Sequence, residues 1–293
     1  MMSDFHVTFW GVRGSIPVPG PSTVRYGGNT SCLEINNANG ERIVFDAGTG
    51  LRVFGQSLDL SKKHNINLFI SHPHWDHISG FPFFPVNFIP GNTVDVYGAG
   101  TFEFTLQEIF NGQMKYTYFP VRTEELRATL NFHELNEGSI TLGNYRIDSI
   151  RLNHPVTCLG YKVTFGNRVF VYLGDNEPYY NVYKDDDPDV IEFASQMNNK
   201  LVDFVRNADT VVADAQYLPY EYPQKTGWGH STSHHVVNMA LKAGVKKLFF
   251  FHHEPLRSDD ELDRVIDHYR NRIQAKGYSM ELHAAMEKKT FDI

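Results

Sequence analysis

The sequence predicts a layered α/β (α+β) fold. Three observations lead there: short runs of valine, isoleucine and phenylalanine, chemically capable residues at the ends of those runs, and apolar stripes at helical spacing towards the C-terminal side. Phe5–Phe45 is glycine-rich with short alternating segments, which suggests β-hairpins and loops. The strands are expected at Ile43–Asp46, Leu68–Ser71, Val94–Tyr97, Val169–Gly174, Thr210–Ala213 and Leu248–Phe251. They lead into Asp46, Ser71-His72, Gly174-Asp175, Asp214 and His252, and carboxyl ends of buried strands are where open α/β sheets place their chemistry.

Three helices follow from periodicity. Val190–Val205 carries Ile191, Ala194, Met197, Leu201 and Val205 as a stripe expected to be buried. Val236, Val237, Ala240 and Leu241 form a second face, closed by Gly244. Leu262, Val265, Ile266, Tyr269 and Ile273 form a third, capped by Ser258 or Asp259. The acidic run Asp185-Asp186-Asp187-Pro188 reads as a solvated loop. No linker or repeat interrupts the chain. Residues 1–293 therefore read as one domain, with 98–135 and 176–207 as local insertions near the site.

Composition narrows the function. With 293 residues and 41% hydrophobic content the chain can build a core without staples, and a disordered or collagen-like chain is excluded. A formal charge of −7 disfavours an extended nucleic-acid surface. Two cysteines, Cys32 and Cys158, cannot make a disulfide framework, and they fit a cytoplasmic location. Residues 1–20 lack a signal-peptide pattern, and no apolar run approaches the ~18 residues of a membrane span. The outlying number is histidine, at 14.

The segment His72-Pro73-His74-Trp75-Asp76-His77 concentrates that chemistry. Four good ligands fall within six residues, just past a strand end. Imidazole with carboxylate suits Zn2+, while Mn2+ and Fe2+ tolerate the same ligands. One ion needs only three or four protein ligands, so His72 and His74 can converge on one while Asp76 and His77 turn to a second. Further candidates sit at other strand ends: His154, Asp175 and one of His252 and His253. His252 is favoured from where its strand stops.

Together with Asp46 in Phe45-Asp46-Ala47-Gly48-Thr49-Gly50, these pieces occur in the order found in metallo-β-lactamase-fold hydrolases, which the chain resembles over nearly its whole length. The resemblance implies a four-layer αββα sandwich with two divalent metal ions at one edge. It assigns His72, His74 and His154 to one ion, Asp76, His77 and His252 to the other, and Asp175 to a bridge. Asp46 would orient a ligand by hydrogen bonding. The resemblance also suggests a homodimer.

Gly229-His230-Ser231-Thr232-Ser233, with Asp214-Ala215-Gln216-Tyr217 upstream, resembles the tRNase Z and cyclic-phosphodiester hydrolase branch of that family. By analogy His230 is a general acid and Asp214 its partner. With Asp76 they form the expected catalytic set. Phosphodiester cleavage has need of them: a hydroxide bridging the metals attacks, and the poor alkoxide leaving group needs a proton. Ser231, Thr232 and Ser233 read as helix caps rather than nucleophiles. Oxygen-reducing relatives carry an acid where this chain has His74, which counts against that class.

The loops at Trp10–Ser15 and Tyr26–Ser31 read as tight turns, the alternative being that Arg13 or Asn29 touches phosphate or orders a ligand. Phe81, Phe83, Phe84, Phe88, Tyr116, Tyr118 and Phe119 read as core or dimer surface ahead of a base-stacking pocket. The tRNase Z subgroup usually carries a long basic, glycine-rich arm, and no such insertion is evident. The sequence therefore favours a small phosphodiester such as a cyclic nucleotide. The alternatives are a tRNA 3′-end endonuclease, a lactone or ester hydrolase of the same fold, and a metal-bearing sensor without turnover.

Overall fold

A computed structural model describes residues 5–180 and 187–293 of the chain. Asp185 and Asp186 of the acidic run lie outside the described residues.

Two seven-stranded sheets are built successively. The first takes β1 (Phe5–Gly11), β2 (Cys32–Asn37), β3 (Arg42–Phe45), β4 (Asn65–Phe69), β5 (Thr93–Gly98) and β6 (Thr129–Glu134). The second takes β7 (Gly138–Leu142), β8 (Tyr145–Leu152), β9 (Cys158–Phe165), β10 (Arg168–Leu173), β11 (Thr210–Asp214), β12 (Lys247–Phe251) and β13 (Glu281–Ala284). β14 (Thr290–Asp292) then returns to pair with β1. The strand orders are β14-β1-β2-β3-β4-β5-β6 and β13-β12-β11-β10-β9-β8-β7. β14 pairs antiparallel with β1, and along each sheet the pairing changes from antiparallel to parallel at β3–β4 and at β10–β11.

Alternation along each strand makes the layers. Ile43 and Phe45 of β3 point between the sheets, with Phe69 beside them, and meet Tyr161, Phe170, Tyr172, Val212 and Phe249 from the opposite sheet. Val44, Leu68, Val94 and Val96 face outwards and are covered by α1 (Gly50–Ser57) and, beyond the short α2 (Trp75–Ile78), by α3 (Leu106–Gln113). Val211, Ala213, Leu248 and Phe250 are covered by α4 (Pro188–Phe204), α5 (Ser233–Ala243) and α6 (Asp259–Ala275). Burial on both faces explains why these strands read as continuous apolar runs. The result is the expected layered α/β sandwich.

Local chemistry sets the helix ends. The Thr232 side chain accepts from His235 N to start α5, and Gly244 ends it in the left-handed region at φ 71°. Ser258 and Glu261 form a capping box on α6, whose first turn is acidic. One expected stripe is misplaced. In α4 Leu201 is buried, and Val205 just beyond it, but Ile191 is 51% exposed, and its neighbours Val190, Phe193 and Ala194 line a cleft beside His154 instead of the core. Among the described residues no helix is long and apolar enough to cross a membrane. Cys32 and Cys158 are both buried and unpaired.

Candidate metal centre

The strand ends converge on one edge of the sandwich. From the first sheet come Asp46 past β3, His72 and His74 past β4, and Asp76 and His77 on α2. From the second come His154 past β8, Asp175 past β10, Asp214 at the end of β11 and His252 past β12. Asp46 and His252 hold left-handed backbones, at φ 60° and 57°, a strain found where a site over-determines the chain.

These side chains form two adjoining clusters that share Asp175. One ligand atom from each of His72, His74, His154 and Asp175 lies within 4.8 Å of the others, and so do atoms of Asp76, His77, Asp175 and His252. His154 Nε2 is 3.0 Å from His74 Nδ1, His252 Nε2 is 2.9 Å from Asp76 Oδ2, and His77 Nε2 is 3.3 Å from His252 Nε2. Asp175 reaches both clusters, with Oδ2 3.4 Å from His72 Nε2 and Oδ1 3.4 Å from His77 Nε2. The separations match the ~3.3 Å edge of a tetrahedron whose ligands stand ~2.0–2.1 Å from a zinc ion.

Chemistry supports the same fit. Buried His72 Nε2 has no hydrogen-bond partner among the described residues, a cost that a cation would remove. Burial pushes the His72 and His74 imidazoles below their ordinary range and His154 down to about 4, which keeps them in the neutral form that binds metal. Burial would raise Asp175, but His252, His77 and His72 hold its carboxyl well below the usual range.

A surrounding layer fixes the rings. Asp46 Oδ2 is 2.7 Å from His77 Nδ1 and also accepts from Ser71 Oγ and the Tyr172 hydroxyl. His154 Nδ1 is 3.0 Å from the Gly229 carbonyl. His252 Nδ1 is 3.0 Å from Gln216 Oε1, and Gln216 Nε2 donates to Glu254. Each bond selects a tautomer and aims the other nitrogen at the centre. Of these, Asp46 was legible in sequence. Ser71 stands at a strand end, while nothing local to the sequence marks the roles of Gln216 and Tyr172. Gln216 sits two residues after Asp214, yet its partner lies 36 residues downstream.

His230 stands beside both clusters. Its ring is stacked on His252 at 4.9 Å and lies 5.6 Å from His154, and its Nδ1 is 3.0 Å from Asp214 Oδ2. Burial works against a charge there, but Asp214 and Asp175 outweigh it and raise the imidazole to about 9. His253 turns away, with Nε2 2.9 Å from the Ala285 carbonyl.

Arg13 does not face the centre. Its fully buried guanidinium donates to the carbonyls of Gly27 and Arg257 and pairs with Asp259. Asn29 is held by Glu287. Ser231 donates to the Asn176 carbonyl, and Ser233 bonds the Tyr269 hydroxyl. Phe81 and Phe84 are core, whereas Phe83, Tyr116 and Tyr118 are exposed. Two clefts flank the centre. One of about 410 Å³ runs along Asp76, Trp75 and Phe83, and one of about 460 Å³ along His154, Glu177 and Tyr179.

With this geometry in view, residues 41–253 match the family described as a beta-lactamase superfamily domain. The chain belongs to that superfamily. The relatives that it resembles include Ribonuclease Z of Picrophilus torridus, 25% identical, with 88% of this chain and 89% of the relative covered. Among solved structures, the metallo-β-lactamase fold protein YhfI from Bacillus subtilis superposes with a TM-score of 0.69 at 19% identity, covering 99% of this chain and 100% of that one. Yeast PDE1 superposes with a TM-score of 0.68 at 16% identity, both chains being covered completely. The protein is accordingly a metal-dependent hydrolase of the superfamily.

Proposed function

We propose that the protein is a two-cation phosphodiesterase in which His230, held by Asp214, protonates the leaving oxygen. The observation that carries this reading is the 3.0 Å contact between His230 Nδ1 and Asp214 Oδ2 beside both ligand clusters. His72, His74, His154 and Asp175 would hold one ion, and Asp76, His77, Asp175 and His252 the other, with zinc best suited to these ligands. Divalent ions there would supply an activated water and neutralise the phosphoryl oxygens.

The chain's own residues account for the proton movements. Asp76 Oδ2 accepts from Ser15 N and stands 3.3 and 2.9 Å from the inward-facing Nε2 atoms of His77 and His252, so we assign Oδ1 to accept a hydrogen bond from the attacking water. The water gives up one proton to solvent and attacks as hydroxide, and as its oxygen bonds to phosphorus the bond to the leaving oxygen breaks. The imidazolium of His230 gives that oxygen its proton and is left neutral against Asp214. A positioned donor of this kind contributes typically ~10²–10⁴ in rate.

Of the possible substrates, the 3′ end of an RNA has the better support, because the Picrophilus relative named Ribonuclease Z aligns over most of both chains. That outweighs the sequence-based preference for a small diester. One observation keeps the small diester as a second reading: β9 and β10, between His154 and Asp175, are joined by a two-residue turn at 166–167 that leaves no RNA-gripping arm in that stretch.

The test is to incubate metal-loaded protein with a precursor tRNA carrying a 3′ trailer, a cyclic-nucleotide panel and bis(p-nitrophenyl) phosphate. Site-specific trailer removal supports the first reading, and nucleotide turnover without it supports the second. No diester turnover at full metal content overturns both.

A further inference from the structure

A cavity of about 560 Å³ lies away from the metal centre, between the loop through Leu218–Tyr220 and helices α5 and α6. Its volume is in the range of small-molecule sites. Arg264, His268 and Arg272 line it at four-residue spacing on α6, so they form one stripe on that helix. His234 faces them from α5, and Tyr269 and the 77%-exposed Tyr220 supply aromatic surface.

The electrostatics of this cavity run against those of the chain. The protein carries a net charge of −7, yet the lining contains three arginines and one carboxylate, Glu261. Glu261 is engaged, accepting from the backbone and hydroxyl of Ser258. Asp263, beside Arg264 on the helix, is bound to Arg25 and to the Tyr26 hydroxyl. Arg257 is already paired with Glu221. Arg264 and Arg272 enter no ion pair with a carboxylate among the described residues. Arg272 instead donates to Nδ1 of His234 at 2.7 Å, which makes that imidazole neutral with its proton on Nε2. Two guanidiniums outside any described ion pair and an N–H donor are thus gathered beside aromatic and apolar surface, with Glu261 the single carboxylate of the lining. Guanidinium recognises phosphate through paired N–H donors, and tyrosine faces accept a planar base.

We propose that this cavity binds a nucleoside phosphate, with Arg264 and Arg272 on the phosphate and Tyr220 against the base. The site is independent of the phosphodiesterase reading, since it shares none of the residues assigned to the metal centre. The phosphate can come from a free mononucleotide or from a nucleotide within an RNA strand.

Two probes separate those sources: adenosine 5′-monophosphate, which has no diester to cleave, and a 5′-phosphorylated RNA 12-mer. Binding to the metal-loaded protein is measured by calorimetry for wild type, for Arg264→Gln/Arg272→Gln and for Asp175→Ala. The proposal expects at least a tenfold loss of affinity in the double arginine variant for one or both probes, and retained binding in Asp175→Ala. Loss for the mononucleotide marks a free nucleotide as ligand, and loss for the RNA alone marks a strand phosphate. Hydrolysis of bis(p-nitrophenyl) phosphate by the double variant should equal wild type, which certifies its fold separately from its binding. Affinity unchanged in the arginine variant for both probes, no binding of either probe, or binding abolished by Asp175→Ala alone overturns the site.

Discussion

Gln216 Oε1 lies 3.0 Å from Nδ1 of His252, and that contact decides which nitrogen of His252 faces the shared carboxylate of Asp175. The amide is itself fixed, because its Nε2 donates to Glu254. Gln216 therefore positions a proposed ligand without itself joining either cluster. Gln216→Leu should keep the volume and lose the tautomer selection. We expect a 10–100-fold weaker hold on one of two cations. Competition with a chelator, followed by metal analysis, reads this directly, and an unchanged release curve would rule the role out.

His230→Ala should leave two cations bound while slowing turnover ~10²–10⁴-fold for esters with poor leaving groups. Esters with p-nitrophenolate leaving groups need little protonation and should lose far less. Asp214→Asn should follow the same pattern more mildly. Equal losses across leaving groups would remove His230 from the proton-donor role.

Gly229 has φ +86°, and a methyl group built on it would stand 2.2 Å from Nδ1 of His154. Gly229→Ala should therefore displace that ring and lower cation content and turnover at least tenfold. Gly40 also has a positive φ, +77°, but open space around it. Gly40→Ala should cost only about 1 kcal/mol and leave activity intact. Cation stoichiometry and thermal melts of the pair separate backbone strain from the clash.

Burial holds the His235 imidazole down at about 4, below the ~6.5 of an unfolded chain. The unfolded state then binds the extra proton between those two values. The resulting stability is fully present above pH ~6.5 and is lost as pH falls towards 4. His235→Gln should flatten that limb by roughly 2 kcal/mol in urea unfolding between pH 4.5 and 7.5. Parallel limbs for the two proteins would show that the imidazole is not responsible.

What could be read from the sequence was what is local. His72 to His77 announce themselves because four candidate ligands crowd six positions, and Asp46, Asp175, Asp214 and His252 because each follows an apolar run. The capping of α5 and α6 was legible for the same reason. Arg13 shows the limit. Its buried guanidinium is defined by Arg257 and Asp259, more than 240 residues away, and no spacing rule connects them. Ile191 shows another: period 3.6 identifies a helical face, but not whether core or an open cleft lies beneath its first turns. Gln216 was in plain view beside Asp214, yet its role exists only once β11 and β12 lie side by side.

The four proposed ligands of one sheet come from adjacent turns of chain, whereas His154, Asp175 and His252 arrive from the other sheet. A denatured chain thus keeps half a chelating hook and loses the rest. Divalent ions would act as a clasp that fastens one rim of the sandwich, while the aromatic filling holds the remainder shut. Withdrawing them should loosen that rim before anything else, so backbone amides just beyond β4 and β10 would be the first to trade hydrogen for deuterium.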